Sequence, residues 1–268
     1  MTPENRPTTD TPDLSIILLT ADRFEPIRKT VRALALQTVR DRLELLIVCP
    51  SEDKLGMPKE EINGFHSFRV ISFPNFDRTS GARIEGIRLA RAPIVALAED
   101  HAYPEPGYAE ALINAHKGPW AGVGPALINA NPGILSWIAM LADYGRWVEP
   151  VHGGVIDDIP GHNSSWKRDV LLDYGARLEA ILPAPTFLNW DLQRQGYQLY
   201  LEPAAKVRHL QVSRVWPWIV EQYNVARLLP AERAEDWPWY KKLFYVCGMP
   251  VLLMRHLRGW IKSFRRNW

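Results

Sequence analysis

Leu14-Ser-Ile-Ile-Leu-Leu-Thr20 and Leu43-Glu-Leu-Leu-Ile-Val-Cys49 decide the fold class. Each is a short, near-continuous run of branched apolar residues bounded by polar ones, and so reads as a strand covered on both faces. Between them, Phe24 to Gln37 carries Ile27, Val31 and Leu34 at spacings of four and three, the stripe of an amphipathic helix. Strand, helix and strand in that order make a βαβ unit with parallel strands. Working outward, Phe68 to Phe73 reads as a strand, Thr79 to Ala90 as a helix, and Pro93-Ile-Val-Ala-Leu-Ala98 as a further buried strand. The alternation predicts an open α/β sheet that binds ligands at the carboxyl ends of its strands.

Farther along, the pattern predicts a helix over Tyr108 to His116 and a strand over Ala121 to Ile128. Pro132 to Gly161 reads as loop-rich, with short helical character around Ile134 to Leu141. A helix over Thr186 to Gln195 and a strand over Gln198 to Leu201 complete the compact part. From Ser213 onward the chain turns to Trp-rich helical pieces broken by Pro217, Pro230, Pro238 and Pro250. The expected division is a flexible N-terminus over 1–12, an α/β domain over 13–212 and a basic helical extension over 213–268.

With 268 residues, 47% hydrophobic and 23% charged, the chain can bury a large core, which excludes general disorder. Cys49 and Cys247 lie far apart with no C-x-x-C partner, so neither a disulfide framework nor a cysteine zinc site is indicated and a reducing compartment fits. Met1 to Asp13 is polar and lacks the basic and apolar segments of a secretion signal, which gives a cytoplasmic expectation.

The net charge of +2 is unevenly spread: Lys241 to Trp268 holds seven Lys or Arg and no acid, which leaves the preceding 240 residues at −5. A basic, aromatic tail on an acidic body suggests contact with an anionic surface. Trp216, Trp218, Trp237, Trp239, Trp260 and Trp268 favour the headgroup level of a bilayer over nucleic acid. No run of 18 apolar residues exists to span one, so the expectation is a peripheral protein on the inner face of the cell membrane. A helical cap that packs the tryptophans is compatible with this.

The chemistry concentrates at Leu97-Ala-Glu-Asp-His101, where an apolar strand ends in two carboxylates and an imidazole, followed by Pro104 and Pro106-Gly107. Glu99 and His101, two apart, project the same way in extended chain, and oxygen with imidazole suits Mn²⁺ or Mg²⁺ bridging to phosphate oxygens. The plain alternative is a solvated strand end with a helix cap. Trp137, Tyr144, Trp147, His152, Asp157, Asp158, His162 and Trp166 gather between 132 and 166 among glycines and prolines, as expected of a carbohydrate pocket or of core aromatics under a long loop.

These pieces together resemble the family 2 glycosyltransferases of the GT-A fold. The likeness rests on the strand from Leu14 to Thr20, Gln37-Thr38, the second strand at Leu46, Gly81-Ala82-Arg83 with Gly86-Ile87, and Glu99-Asp100-His101 with Pro106-Gly107. It continues through Gly161-His-Asn-Ser-Ser-Trp-Lys-Arg168, Arg194-Gln-Gly-Tyr197 and Glu202-Pro-Ala-Ala-Lys-Val-Arg-His209. The resemblance implies a Rossmann-like mixed sheet flanked by helices. It also implies metal-assisted, inverting transfer from a nucleotide-sugar donor, UDP or GDP type, to a glycan or glycolipid acceptor.

By position, the resemblance makes Glu99 and His101 the residues facing metal and diphosphate, with Asp100 near the ribose. His209 adds a metal or phosphate contact. Thr20, Asp22 and Arg83 lie with the donor nucleotide, and His162, Asn163 and Trp166 line the sugar and acceptor side. The chain departs from the family at Val48-Cys49-Pro50-Ser51, where a base-reading aspartate pair is common, and at Pro183-Ala-Pro-Thr186, where the family keeps its acidic general base. Asp191 is the nearest downstream acid and the candidate base, with Glu179, Asp157 and Asp158 as further candidates. The missing carboxylate motivates a second class of reading, a non-catalytic sugar- or nucleotide-binding protein. A nucleotidyltransferase would want a glycine- and basic-rich loop where Thr20-Ala-Asp-Arg23 stands.

Overall fold

A computed structural model gives the structure of the chain. It describes residues 10–21, 23–76, 79–131, 133–182, 185–220, 222–224, 234, 237–248, 251, 254, 258 and 261. Of the residues singled out above, Asp22, Pro132, Pro183, Ala184, Pro230, Pro250, Trp260 and Trp268 lie outside these, as do residues 1–9 of the expected flexible N-terminus and most of the basic tail beyond 248.

The first half alternates as its sequence dictates: β1 (Leu14–Leu19), α1 (Arg28–Ala35), β2 (Leu43–Cys49), α2 (Glu52–Leu55), β3 (Ser67–Ser72), α3 (Thr79–Leu89) and β4 (Ile94–Ala98). β1 pairs in parallel with β2 and β4, and β2 with β3. All seven residues of β2 and all five of β4 are buried, which is why both read as unbroken apolar runs. Helix α3 lies close against β1: a Cβ built on Gly86 would come within 2.7 Å of Ile17 Cγ2, so only glycine fits there without displacement.

The second half is β5 (Ala102–Pro104), α4 (Tyr108–Ala115), β6 (Gly122–Asn129), α5 (Ile134–Tyr144), β7 (Gly154–Ile156), β8 (Ser165–Lys167), α6 (Arg168–Leu172), α7 (Arg177–Ile181), α8 (Pro185–Arg194) and β9 (Leu199–His209). Nine strands among the described residues form one mixed sheet in the order β3-β2-β1-β4-β8-β6-β9-β5, with β7 also paired to β9.

Two antiparallel pairings build the site. β8 runs beside β4 with Val95 opposite Trp166. The pairing continues as Asn163 N donates to Leu97 O at 2.7 Å, which carries residues 162–164 to the carboxyl end of β4. β5 runs beside β9 with Ala102 opposite His209, which brings the end of β9 to the same place.

The structure corrects the sequence reading in three places. β9 does not stop at Leu201 but runs to His209, because Pro203 falls between the stretch paired with β7 and the stretch paired with β5. The short strands β5, β7 and β8 and the helices α6 and α7 carry too few residues to show a period. Trp166, expected to face a sugar, is fully buried in the core on β8, opposite Val95.

The chain divides into two compact units, Met1–Ile128 with Val151–His209, and Asn129–Pro150 with Leu210–Trp268. The expected boundary at 212 lies close to this one, but the expected domain also kept 129–150. Side-chain amides tie 129–150 to the chain beyond 210. Asn131 Nδ2 donates to Gln211 O at 2.7 Å while its Oδ1 accepts from Gln211 N at 2.8 Å. Asp143 accepts from Gln211 Nε2 and Gln222 Nε2, each at 2.7 Å. The second unit also holds a helical run over 215–220 and α9 (Trp239–Cys247).

His116, at the end of α4, is a buried titratable group of the first unit, with Nε2 at 2.9 Å from Ser165 Oγ. Burial, helped by the Lys167 charge, pushes its pKa down to about 3, so it is neutral in the fold and gains a proton more readily when unfolded. The unfolded chain therefore binds more protons between the ordinary histidine value of about 6.5 and about 3. Stability is expected to be full above that window and to fall by up to about 1.4 kcal/mol per pH unit as pH drops through it. Urea unfolding of wild type and His116→Gln from pH 7 to 4 checks this, the variant giving the shallower slope.

Candidate active site

Glu99 stands one residue past β4, where the strand leaves the sheet, and its side chain is 12% exposed. Three other segments meet it. Asn163 Nδ2 donates to Glu99 Oε2 at 3.0 Å, His209 Nε2 lies 3.3 Å from Oε2, and His162 Nδ1 lies 3.5 Å from Oε1. His101 Nε2 is 4.0 Å from Oε1. The turn that aims these groups is held by Thr30 of α1, whose Oγ1 lies within 3.1 Å of the carbonyl oxygens of Glu99, Asp100 and Ala102. Asn163 supports the arrangement with a left-handed backbone, φ 59°, and its carbonyl accepts from the buried Tyr108 hydroxyl at 2.6 Å.

The electrostatics are one-sided. Burial opposes the Glu99 charge, but the imidazoles of His162, His209 and His101 face it and hold its pKa down to about 2, so the carboxylate is ionised at neutral pH. His162 moves the other way: burial lowers its pKa and outweighs Glu99, with the Arg83 charge adding to the burial. Arg83 Nη2 lies 3.3 Å from His162 Nδ1, the same nitrogen that faces Glu99 Oε1 at 3.5 Å. His101 Nδ1 meets Asp100 Oδ1 at 2.6 Å, and that hydrogen bond lowers the Asp100 pKa against the cost of its partial burial. The His101 and His209 rings stand edge to face, 4.8 Å apart.

One ligand atom from each of Glu99, His101 and His209 lies within 4.8 Å of the others, a spacing that one divalent ion can bridge. A permanently ionised carboxylate with two imidazoles is a chemically competent donor set, and Asn163 Oδ1, buried and without a hydrogen-bond partner, leaves polar capacity beside it. The fit is good.

Of the residues expected to act, Arg83, Glu99, Asp100, His101, His162, Asn163 and His209 thus come together. Thr20 sits at the end of β1 with its hydroxyl donating to Arg23 O at 2.9 Å, a local turn contact. Asp191, on α8, is nearly buried among three donors: Tyr174 Oη at 2.9 Å, Arg177 Nη2 at 2.7 Å and Gln195 Nε2 at 2.7 Å. Burial works against its charge, yet the three donors together lower its pKa. Among the alternative acids, Asp158 is buried and accepts from Asn189 Nδ2 at 2.7 Å. The aromatic stretch 132–166 is divided between the two units.

Sequence reasoning missed Thr30. Its signal was present: with Ile27, Val31 and Leu34 it is a lone polar residue on the apolar stripe of α1, and it is fully buried. The contact of Arg83 with His162 had no sequence signal, since it depends on how far α3 slides along β1.

A search of curated proteins gives no match. A family model described as Glycosyl transferase family 2 matches residues 15–174, more than half of the chain, including Arg83, the Glu99-Asp100-His101 turn and the His162-Asn163 pair. Asp191, His209 and everything after 174 lie beyond the matched residues. The chain belongs to glycosyltransferase family 2, and its mixed sheet flanked by helices is consistent with the GT-A fold of that family.

Proposed function

We propose that the protein moves a sugar from a UDP- or GDP-type nucleotide-sugar donor to a lipid-linked or polysaccharide acceptor, with inversion, at the inner face of the cell membrane. The observation that carries this reading is the meeting of Glu99, His101 and His209 at the carboxyl end of β4 in a family 2 chain. Mn²⁺ or Mg²⁺ held there would neutralise the charge on a departing diphosphate. Arg83 supplies a fixed positive charge and planar donors beside it. His162, on the neighbouring segment, offers a polar group on the sugar side, Asn163 is buried behind it and orients Glu99 rather than meeting the sugar, and Asp100 next to His101 is the residue assigned to the ribose.

Inverting transfer needs a group that accepts the acceptor's proton. Asp191 is the acid nearest the family's position, but three donors already occupy its oxygens and depress its pKa, which suits an anchor of α8 better than a base. That occupancy also favours the second reading, a chain that binds donor without transferring it.

The membrane part of the reading rests on the second unit. α9 has no buried residue; Trp239, Tyr240, Leu243, Phe244 and Val246 are more than half exposed and share the helix with Lys241 and Lys242. A nine-residue helix is marginal alone in water, and a cationic, Trp-bearing one suits an anionic lipid surface. No helix among the described residues is long and apolar enough to cross a membrane.

Three outcomes are expected. Glu99→Gln and His101→Ala lose the Mn²⁺-dependent increase in nucleoside diphosphate affinity, read by calorimetry with and without the ion, while melting cooperatively. Asp191→Asn loses about 1–3 kcal/mol of stability with transfer down less than tenfold; a fall of about 10² to 10⁴ at unchanged stability would return the base to Asp191. Lastly, the intact chain sediments with anionic but not neutral vesicles at low salt and is released as salt rises, and Lys241→Glu with Lys242→Glu weakens the binding.

A further inference from the structure

The donors around Glu99 differ from an all-oxygen site in a way that sets which ion they take. Two of the three groups that lie within 4.8 Å of one another are imidazole nitrogens, and one is a carboxylate oxygen. Mg²⁺ asks for near-octahedral oxygen ligands and sheds its water reluctantly, and Ca²⁺ asks for six to eight oxygens. Imidazole nitrogen instead suits first-row transition ions and zinc.

The surroundings of the three groups point the same way. His101 Nδ1 and Asp100 Oδ1 are 2.6 Å apart, a pairing in which the ring donates from Nδ1 and turns Nε2 to the Glu99 side. A carboxylate behind a histidine fixes its tautomer and orientation and raises its basicity as a ligand. Glu99 has its own support, since Asn163 Nδ2 donates to Oε2 at 3.0 Å and Asn163 is itself 1% exposed. The second imidazole, His209, is 4% exposed and held by packing, while His101, 43% exposed, is oriented by Asp100 and by its edge-on contact with the His209 ring.

We propose that Glu99, His101 and His209 form a nitrogen-rich site that selects a divalent transition ion or zinc and discriminates against Mg²⁺ and Ca²⁺, with Asp100 as a positioning residue acting through His101. The proposal rests on the metal-dependent donor site put forward above and narrows it, removing Mg²⁺ from the two ions considered there. Affinity follows the order Mn²⁺, Co²⁺, Zn²⁺, rising, with Mg²⁺ far below all three.

Co²⁺ is the probe, titrated into the intact chain and followed by its visible absorption, with Zn²⁺, Mn²⁺ and Mg²⁺ as competitors. The expected result is a saturable Co²⁺ spectrum that an equivalent of Zn²⁺ removes and about a hundredfold excess of Mg²⁺ leaves unchanged. Asp100→Asn is expected to shift that spectrum and weaken Co²⁺ binding by about 10- to 100-fold at an unchanged melting temperature. His101→Asp, which trades a nitrogen for an oxygen, is expected to bring Mg²⁺ into effective competition. Competition by Mg²⁺ on equal terms in the wild type would overturn the selectivity and leave the metal-dependent donor site standing. If none of the four ions binds, in a chain that still binds nucleoside diphosphate, the metal site and this inference are overturned together. An unaltered Co²⁺ spectrum in Asp100→Asn would remove Asp100's part.

Discussion

A carboxylate taken out of water must be surrounded, and the burial of Glu99 is the constraint on which the site depends. An isolated ion at 12% exposure costs several kcal/mol unless opposite or donating groups face it. Here the groups come from four places in the sequence: the turn after β4, the segment before β8, the end of β9 and, through His162, the Arg83 side of α3. Each arrives by backbone pairing. Residues 162–164 are placed by the β4–β8 ladder and His209 by the β5–β9 ladder, so a slip of either register by one residue would turn the needed side chain to the opposite face. The sheet is thus the positioning device, and the side chains inherit its precision.

The parallel half of the fold was legible because it is the part whose strands are buried on both faces. β2 spans the residues expected, Leu43–Cys49, and β1, β3, β4 and α3 depart from expectation only at their ends. The antiparallel half was legible only in its longer pieces. β5, β7 and β8 have three residues each, and their pairing is decided by partners distant in sequence. A three-residue strand has no period to read, and β9 runs through Pro203 because a proline inside a strand is harmless where the ladder changes partner.

The site shows the same division. Glu99 and His101 announced themselves by following an apolar strand, and their partner His209 was reachable by family resemblance. Trp166 was misread because an aromatic in a Gly- and Ser-flanked motif looks like a ligand contact until strand alternation turns it inward, where Gly122 leaves room for its ring. Asp191 was chosen by its distance along the chain from the family's acid position, and distance along the chain says nothing about Tyr174, Arg177 and Gln195 closing around it.

Thr30 gives the turn after β4 an owner outside the sheet. Because one hydroxyl lies against the carbonyls of Glu99, Asp100 and Ala102, the geometry of those residues is set by how firmly α1 is seated on β5. Local opening in proteins proceeds by whole cooperative segments rather than by single residues. The lifetime of the assembled site is therefore bounded by that of the first helix: whenever α1 lifts, the single hydroxyl proton shared among these three carbonyls leaves with it, and the charged end of β4 loosens as a unit.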